Sequence, residues 1–174
     1  MVFARGLGAA RTGDLVAAHQ NLERLTALHE TMVANNQAYW AEQARIQREG
    51  LAAWIALAEG DAEEALTLMR QAAALEDATE KHPVTPGPIV PAHELLGEML
   101  LELGQPQAAL EEFEISQRIE PNRFRGLYGA ARAAELSGDA EKARSYYEQL
   151  VALSAQADSE RPELAAAQTF LAQQ

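Results

Sequence analysis

Four times along the chain a glycine and a polar residue are followed, five residues after the glycine, by an alanine inside a helical pattern. The sites are Gly13-Asp14 with Ala18, Gly60-Asp61 with Ala65, Gly104-Gln105 with Ala109, and Gly138-Asp139 with Ala143. A glycine allows the positive φ needed at a helix end, and a polar residue after it starts the next helix. A small alanine lets two helices come close. Recurrence of the unit predicts antiparallel helical hairpins stacked as a repeat. Stacked hairpins hold other molecules and seldom do chemistry, so a binding or scaffolding role is expected.

Composition agrees. Of the 174 residues, 48% are hydrophobic and only 6% aromatic, with alanine supplying much of the apolar count. Ala-rich and Leu-rich sequence with few β-branched residues favours close-packed helices over sheets. A net charge of −12 argues against gripping a nucleic-acid backbone or an anionic membrane, both of which need clustered Lys and Arg. The absence of cysteine excludes disulfides, thiolate zinc sites and cysteine nucleophiles. No run of about 18 apolar residues exists to span a bilayer. A soluble protein of the cytoplasm or periplasm is expected, with no targeting signal at Met1 to Ala10. Helical sequence begins at once with Val2 and Phe3, so the chain reads as a piece of a longer one.

The spacing predicts repeats over 1–30, 36–76, 91–123 and 124–157. In the third, His93, Leu96-Gly97 and Leu100 mark the first helix and Gly104-Gln105-Pro106 the turn. Ala109, Phe113 and Ser116 mark the second helix, which Pro121 ends. Small Gly97 and Ala109 allow close approach, while Leu96, Leu100 and Phe113 fill the seam. The fourth follows 34 residues on, from Gly104 to Gly138. It predicts helices over Phe124–Leu136 and Asp139–Ser154, with Asp139 as N-cap.

The other intervals are longer. The excess between Thr31 and Arg48 predicts a lengthened helix, Asn36–Glu59, with Tyr39, Trp40 and Trp54 as core residues or, alternatively, an aromatic platform. The excess in the connection 77–91 holds Pro83, Pro86, Pro88 and Pro91, which forbid a helix. Val84, Ile89 and Val90 need cover, so this segment is expected to fold back as a strap rather than serve as a polyproline ligand. After Ala157, Asp158-Ser159-Glu160-Arg161-Pro162 starts a capping helix over 162–172.

The third-repeat pattern, with His93 and Leu100 in place of the usual Trp and Tyr, resembles tetratricopeptide repeat (TPR) proteins. The likeness is strong in repeats three and four and weaker in one and two. Phe3–Gly8, Ala53–Gly60, Glu80–Pro88 and Phe124–Ala131 are also similar to the C-terminal region of a longer bacterial TPR group. The resemblance implies an all-α, right-handed solenoid of antiparallel hairpins with a C-terminal capping helix, forming a single domain over 1–174. It implies a concave groove lined by first helices that takes protein or peptide partners. It implies no reaction and no cofactor. The family's carboxylate clamp uses Lys and Asn where this chain has Tyr128 and Arg132, or Glu94 and Glu98, so a chaperone-tail clamp does not follow.

Arg125, Tyr128 and Arg132 fall at i, i+3 and i+7 and share a helix face. With Glu94 and Glu98 they are the candidate partner-binding residues. The arginines would receive a carboxylate or phosphate. The alternative is that they pair with Glu94, Glu98 and Glu135 on the surface. Glu94 and Glu98, at i and i+4, would otherwise be a solvated face or, more rarely, a hard-cation site. His93-Glu94-Leu95-Leu96-Gly97 lacks the second histidine of a zinc protease motif. No nucleophile elbow, P-loop or dinucleotide fingerprint is present. Two further readings stay open: self-assembly through an uncapped first repeat, burying Phe3, Leu7 and Leu15 between copies, and a small-molecule or metal-dependent enzyme beside the Pro-rich segment.

Overall fold

The structure is a computed structural model that describes residues 1–80, 87–158 and 161–173. Among these are nine α-helices: α1 (Val2–Arg11), α2 (Leu15–Ala34), α3 (Ala38–Glu59), α4 (Ala62–Asp77), α5 (Ala92–Glu102), α6 (Pro106–Ile119), α7 (Phe124–Ser137), α8 (Ala140–Leu153) and α9 (Pro162–Ala172). The all-α class and the hairpin pattern are as the sequence predicts. Pro83, Val84, Pro86, Ser159 and Glu160, which the sequence reading invoked, lie outside the described residues.

The repeated turn has one mechanism at all four sites. Gly13, Gly60, Gly104 and Gly138 take φ of 80°, 92°, 69° and 84°, a left-handed conformation that costs a residue with a Cβ. That conformation turns the next amide back onto the helix. Asp14 donates to Ala9, Asp61 to Ala56, Gln105 to Leu100 and Asp139 to Ala134, at 2.8–2.9 Å. These bonds satisfy carbonyls that a helix end otherwise strands. Each aspartate then accepts at 3.0 Å from the amide three residues on: Ala17, Glu64 and Lys142. At the third turn Gln105 makes no such cap, and Pro106 instead opens α6 with its φ already set. The alanine five residues after each glycine is fully buried.

The chain has two compact units, Met1–Leu95 and Leu96–Gln174. In the first, α3 packs between α2 and α4, and α1 packs on α2 and α3. The extra length predicted for one helix is shared by two: α2 runs on to Ala34, and α3 starts at Ala38. Asn36, at φ 55°, does the work of a turn glycine between them, and Gln37 donates to Met32 at 2.9 Å. Trp54 is core, with the Arg11 guanidinium 4.5 Å over its ring. Trp40 is not, and corrects the core expectation. It sits in the first turn of α3, 49% exposed, edge-on to Tyr39 at 5.1 Å. Two of the three residues expected to be buried between copies are covered within the chain itself. Phe3 is 4% and Leu7 7% exposed, because α1 turns them inward onto its own unit. Its outward positions are Ala4, Arg5, Gly8 and Arg11.

In the second unit α6 packs on α7, α7 on α8 and α8 on α9. Phe113 of α6 is fully buried against two glycines. A Cβ on Gly97 of α5 would lie 2.8 Å from the ring, and one on Gly129 of α7 closer still. Leu127, Ala131, Tyr147, Leu150 and Ala167 form a cluster joining α7, α8 and α9. The helix start predicted near Asp158 is set by Pro162 at the first position after an extended Arg161, whose guanidinium lies 4.5 Å over the Phe124 ring.

Candidate partner-binding site

The site is built on α7, the first helix of the α7–α8 hairpin. Its buried stripe is nearly all small: Gly126, Gly129, Ala130, Ala131, Ala133 and Ala134, with Leu127. Seven inward positions on 14 residues leave the long polar side chains to the other face. Arg125, Tyr128 and Arg132 lie there, exposed or half-buried.

Each is held by a neighbour. Arg125 donates from Nε and Nη2 to Glu98 Oε1 at 3.1 and 2.6 Å, a bond between α7 and α5. Arg132 donates from Nη1 to Glu135 Oε2 at 2.8 Å, one turn along α7. The Tyr147 hydroxyl of α8 donates to that same oxygen at 2.8 Å. Tyr128 lies between the arginines, its ring tilted against Tyr147 at 6.4 Å, and Tyr147 in turn meets Phe170 of α9 at 4.9 Å. The polar face of α7 is therefore tied to α5 and to α8.

The electrostatics follow from that geometry. Burial pushes the Tyr147 hydroxyl well above the ordinary tyrosine range, and its bond to Glu135 adds to the rise. Burial alone would pull Arg132 down. The bond and charge of Glu135, with Tyr147, hold its guanidinium above the usual value. A second cluster lies between α6 and α8, where Glu114 of α6 accepts from Lys142 at 2.7 Å and from the Tyr146 hydroxyl at 3.2 Å, both of α8. Burial again raises Tyr146, with Glu114 reinforcing it.

The five candidate residues thus do not form one constellation. Arg125 and Glu98 pair directly, as the surface-pair alternative anticipated, and Arg132 takes Glu135. Glu94 differs from every reading of it. It is 0% exposed, one of seven consecutive buried residues from Pro91 to Gly97, and presents no solvated face. The covered first turns of α5 hide the charge that marked Glu94 as superficial. Tyr147 is the polar link that the sequence reading missed. The i, i+3 spacing of Arg132 and Glu135 signals the pair, but nothing local signals a hydroxyl arriving from the next helix.

In the first unit the start of α5 is held by the end of α4. The Ala92 amide donates to Glu76 Oε1 at 2.7 Å, and His93 Nε2 lies 3.1 Å from Asp77 Oδ1. Two acids at the end of α4 therefore receive the start of α5, and Glu76 caps a helix 16 residues away in sequence.

The tetratricopeptide repeat family model matches residues 124–156, the α7–α8 hairpin. No curated protein matches the chain. Solved structures do. A Podosopora anserina protein named for kinesin light chain, with nearly identical TPR-like repeats, is 22% identical with a TM-score of 0.65. That match covers 99% of this chain and 82% of the other. PcrH from Pseudomonas aeruginosa is 17% identical with a TM-score of 0.56, over 74% and 89%. MamA is 16% identical with a TM-score of 0.55, over 92% and 95%. At these identities the likeness is one of fold. Residues 124–156 match a tetratricopeptide repeat, and the chain has an all-α, TPR-like fold. Among the described residues no helix is long and apolar enough to cross a membrane.

Proposed function

We propose that this TPR-like chain is a non-catalytic scaffold for a protein or peptide, and that the open face of α7 receives a carboxylate of its partner. First helices line the groove in folds of this type, and α7 is the first helix of its hairpin. The observation that carries the reading is the pair Arg125 and Arg132. They stand two turns apart on one face, each guanidinium positioned by a glutamate, with the Tyr128 ring between them. A guanidinium has five N–H donors in a fixed fork, and Arg125 points only two nitrogens at Glu98. The rest can take a second carboxylate in a geometry that Glu98 holds ready. Glu98 supports the site, and buried Glu94 makes no direct contact with a partner.

A peptide array with free carboxylates, probed with the full chain, tests this. Selected peptides should carry a carboxylate that cannot be replaced by an amide. Arg125→Ala should weaken them about tenfold, the effect of losing roughly 1.4 kcal/mol from one charge-assisted bond. Equal binding by Arg125→Ala would move the site elsewhere on the scaffold.

A further inference from the structure

In the first unit, Pro88, Ile89 and Val90 lie over a groove whose floor is Phe3, Ile46, Gly50, Met69 and Leu95. The floor is buried and wholly apolar. The cover is looser: Ile89 is 55% exposed, and a hollow of about 20 Å³ remains beneath the segment. Gln43 and Gln47, one turn apart on α3, stand at the rim, and Glu76 there holds the Ala92 amide. An apolar floor beside a few amide and carboxylate groups suits a short apolar peptide segment.

Gly50 lines the hollow. It sits in the middle of a 22-residue helix, where glycine is a poor choice. Close packing does not demand it. A Cβ there would meet Met69, Leu95 and Phe3 at 3.8–4.0 Å, ordinary contact distances. This differs from Gly97 and Gly129, where a Cβ would strike the Phe113 ring. An alanine at position 50 would fit and would narrow the space under the segment.

We propose that this groove is a second peptide site. Its resident occupant is the chain's own Pro88-Ile89-Val90, which runs into Pro91 at the start of α5. A partner segment of the same chemistry, a pair of β-branched residues flanked by prolines, binds by taking its place. Proline lacks an N–H and is pre-extended, so such a segment brings few unpaired donors and loses little entropy on docking. The proposal rests on the scaffold reading but uses none of the residues of α7. A tethered occupant competes at an effective concentration in the millimolar range, so the groove binds a free peptide weakly until the tether leaves.

The probe is a fluorescein-labelled peptide of residues 87–92, Gly-Pro-Ile-Val-Pro-Ala, measured by anisotropy. Ile89→Asp/Val90→Asp in the full chain should release the groove and bind the probe at least tenfold more tightly than the unaltered chain. Unchanged helical circular dichroism would establish that the variant is folded. Adding Gly50→Ala should weaken the probe several-fold. In the released variant the Met69 methyl resonance should shift as the probe saturates. Equal binding before and after release, or a Met69 methyl that stays fixed, would overturn the proposal. Loss of this site would leave the Arg125-dependent site standing, so the two readings fail separately.

Discussion

The edge of the Phe113 ring fills the space that a side chain on Gly129 would need. Phe113 is fully buried and meets Gly97 from α5 as well, so the ring has little room to retreat. Gly129→Ala should therefore destabilise the chain by about 1–3 kcal/mol, the range for overpacking a tight core. Urea unfolding checks this. The midpoint should fall while the helical signal at zero urea stays constant.

Gly50→Ala should do the opposite. The added methyl meets nothing closer than 3.8 Å, and alanine favours a helix interior over glycine by about 0.8–1 kcal/mol. The urea midpoint should rise. The contrasting signs at two helical glycines test whether each is there for packing or for space.

The turn aspartates predict a third result. Asp61→Ala removes the bond to the Glu64 amide and should cost about 1 kcal/mol. Gln105 occupies the equivalent place without capping its helix. Gln105→Asp should gain a comparable fraction of that amount, read by thermal melting of the two variants against the parent.

Alkaline pH should destabilise the second unit. Burial and Glu135 raise Tyr147 in the folded state, and burial and Glu114 raise Tyr146. The unfolded chain loses these protons near pH 10 while the folded chain keeps them. The stabilisation from each raised tyrosine is complete below that pH and declines as the pH rises above it, by up to about 1.4 kcal/mol per pH unit for each proton. Unfolding free energies between pH 9 and 11.5 should fall, and Tyr147→Phe should flatten the slope. A slope unchanged in Tyr147→Phe would remove Tyr147 from the account.

Local chemistry explains what the sequence made legible. The Gly-Asp turns, Asp139 as cap, and the boundaries of α7, α8 and α9 depend on residues within five or six positions of each other. The buried alanines follow from that spacing. Asn36 escaped because its left-handed turn needs neither Gly nor Pro, so the extra length was assigned to one helix rather than two. Glu94 and Trp40 were misplaced for opposite reasons. Charge suggested a surface for a residue that tertiary packing covers, and aromatic size suggested a core for one at an open helix start. Of the candidate site, the shared face of Arg125, Tyr128 and Arg132 came from helical period alone. The bond from Tyr147 to Glu135 depends on how two helices pack and had no local signal.

The central claim is that Arg125 and Arg132 on α7 receive a partner's carboxylate. Its most direct test is to titrate an array-selected peptide into the ¹⁵N-labelled full chain while following the guanidinium Nε–Hε resonances of both arginines. The account predicts that both shift together, with the dissociation constant found by anisotropy, and that an amidated peptide moves neither. A peptide that binds with the same constant while both resonances stay fixed would contradict it.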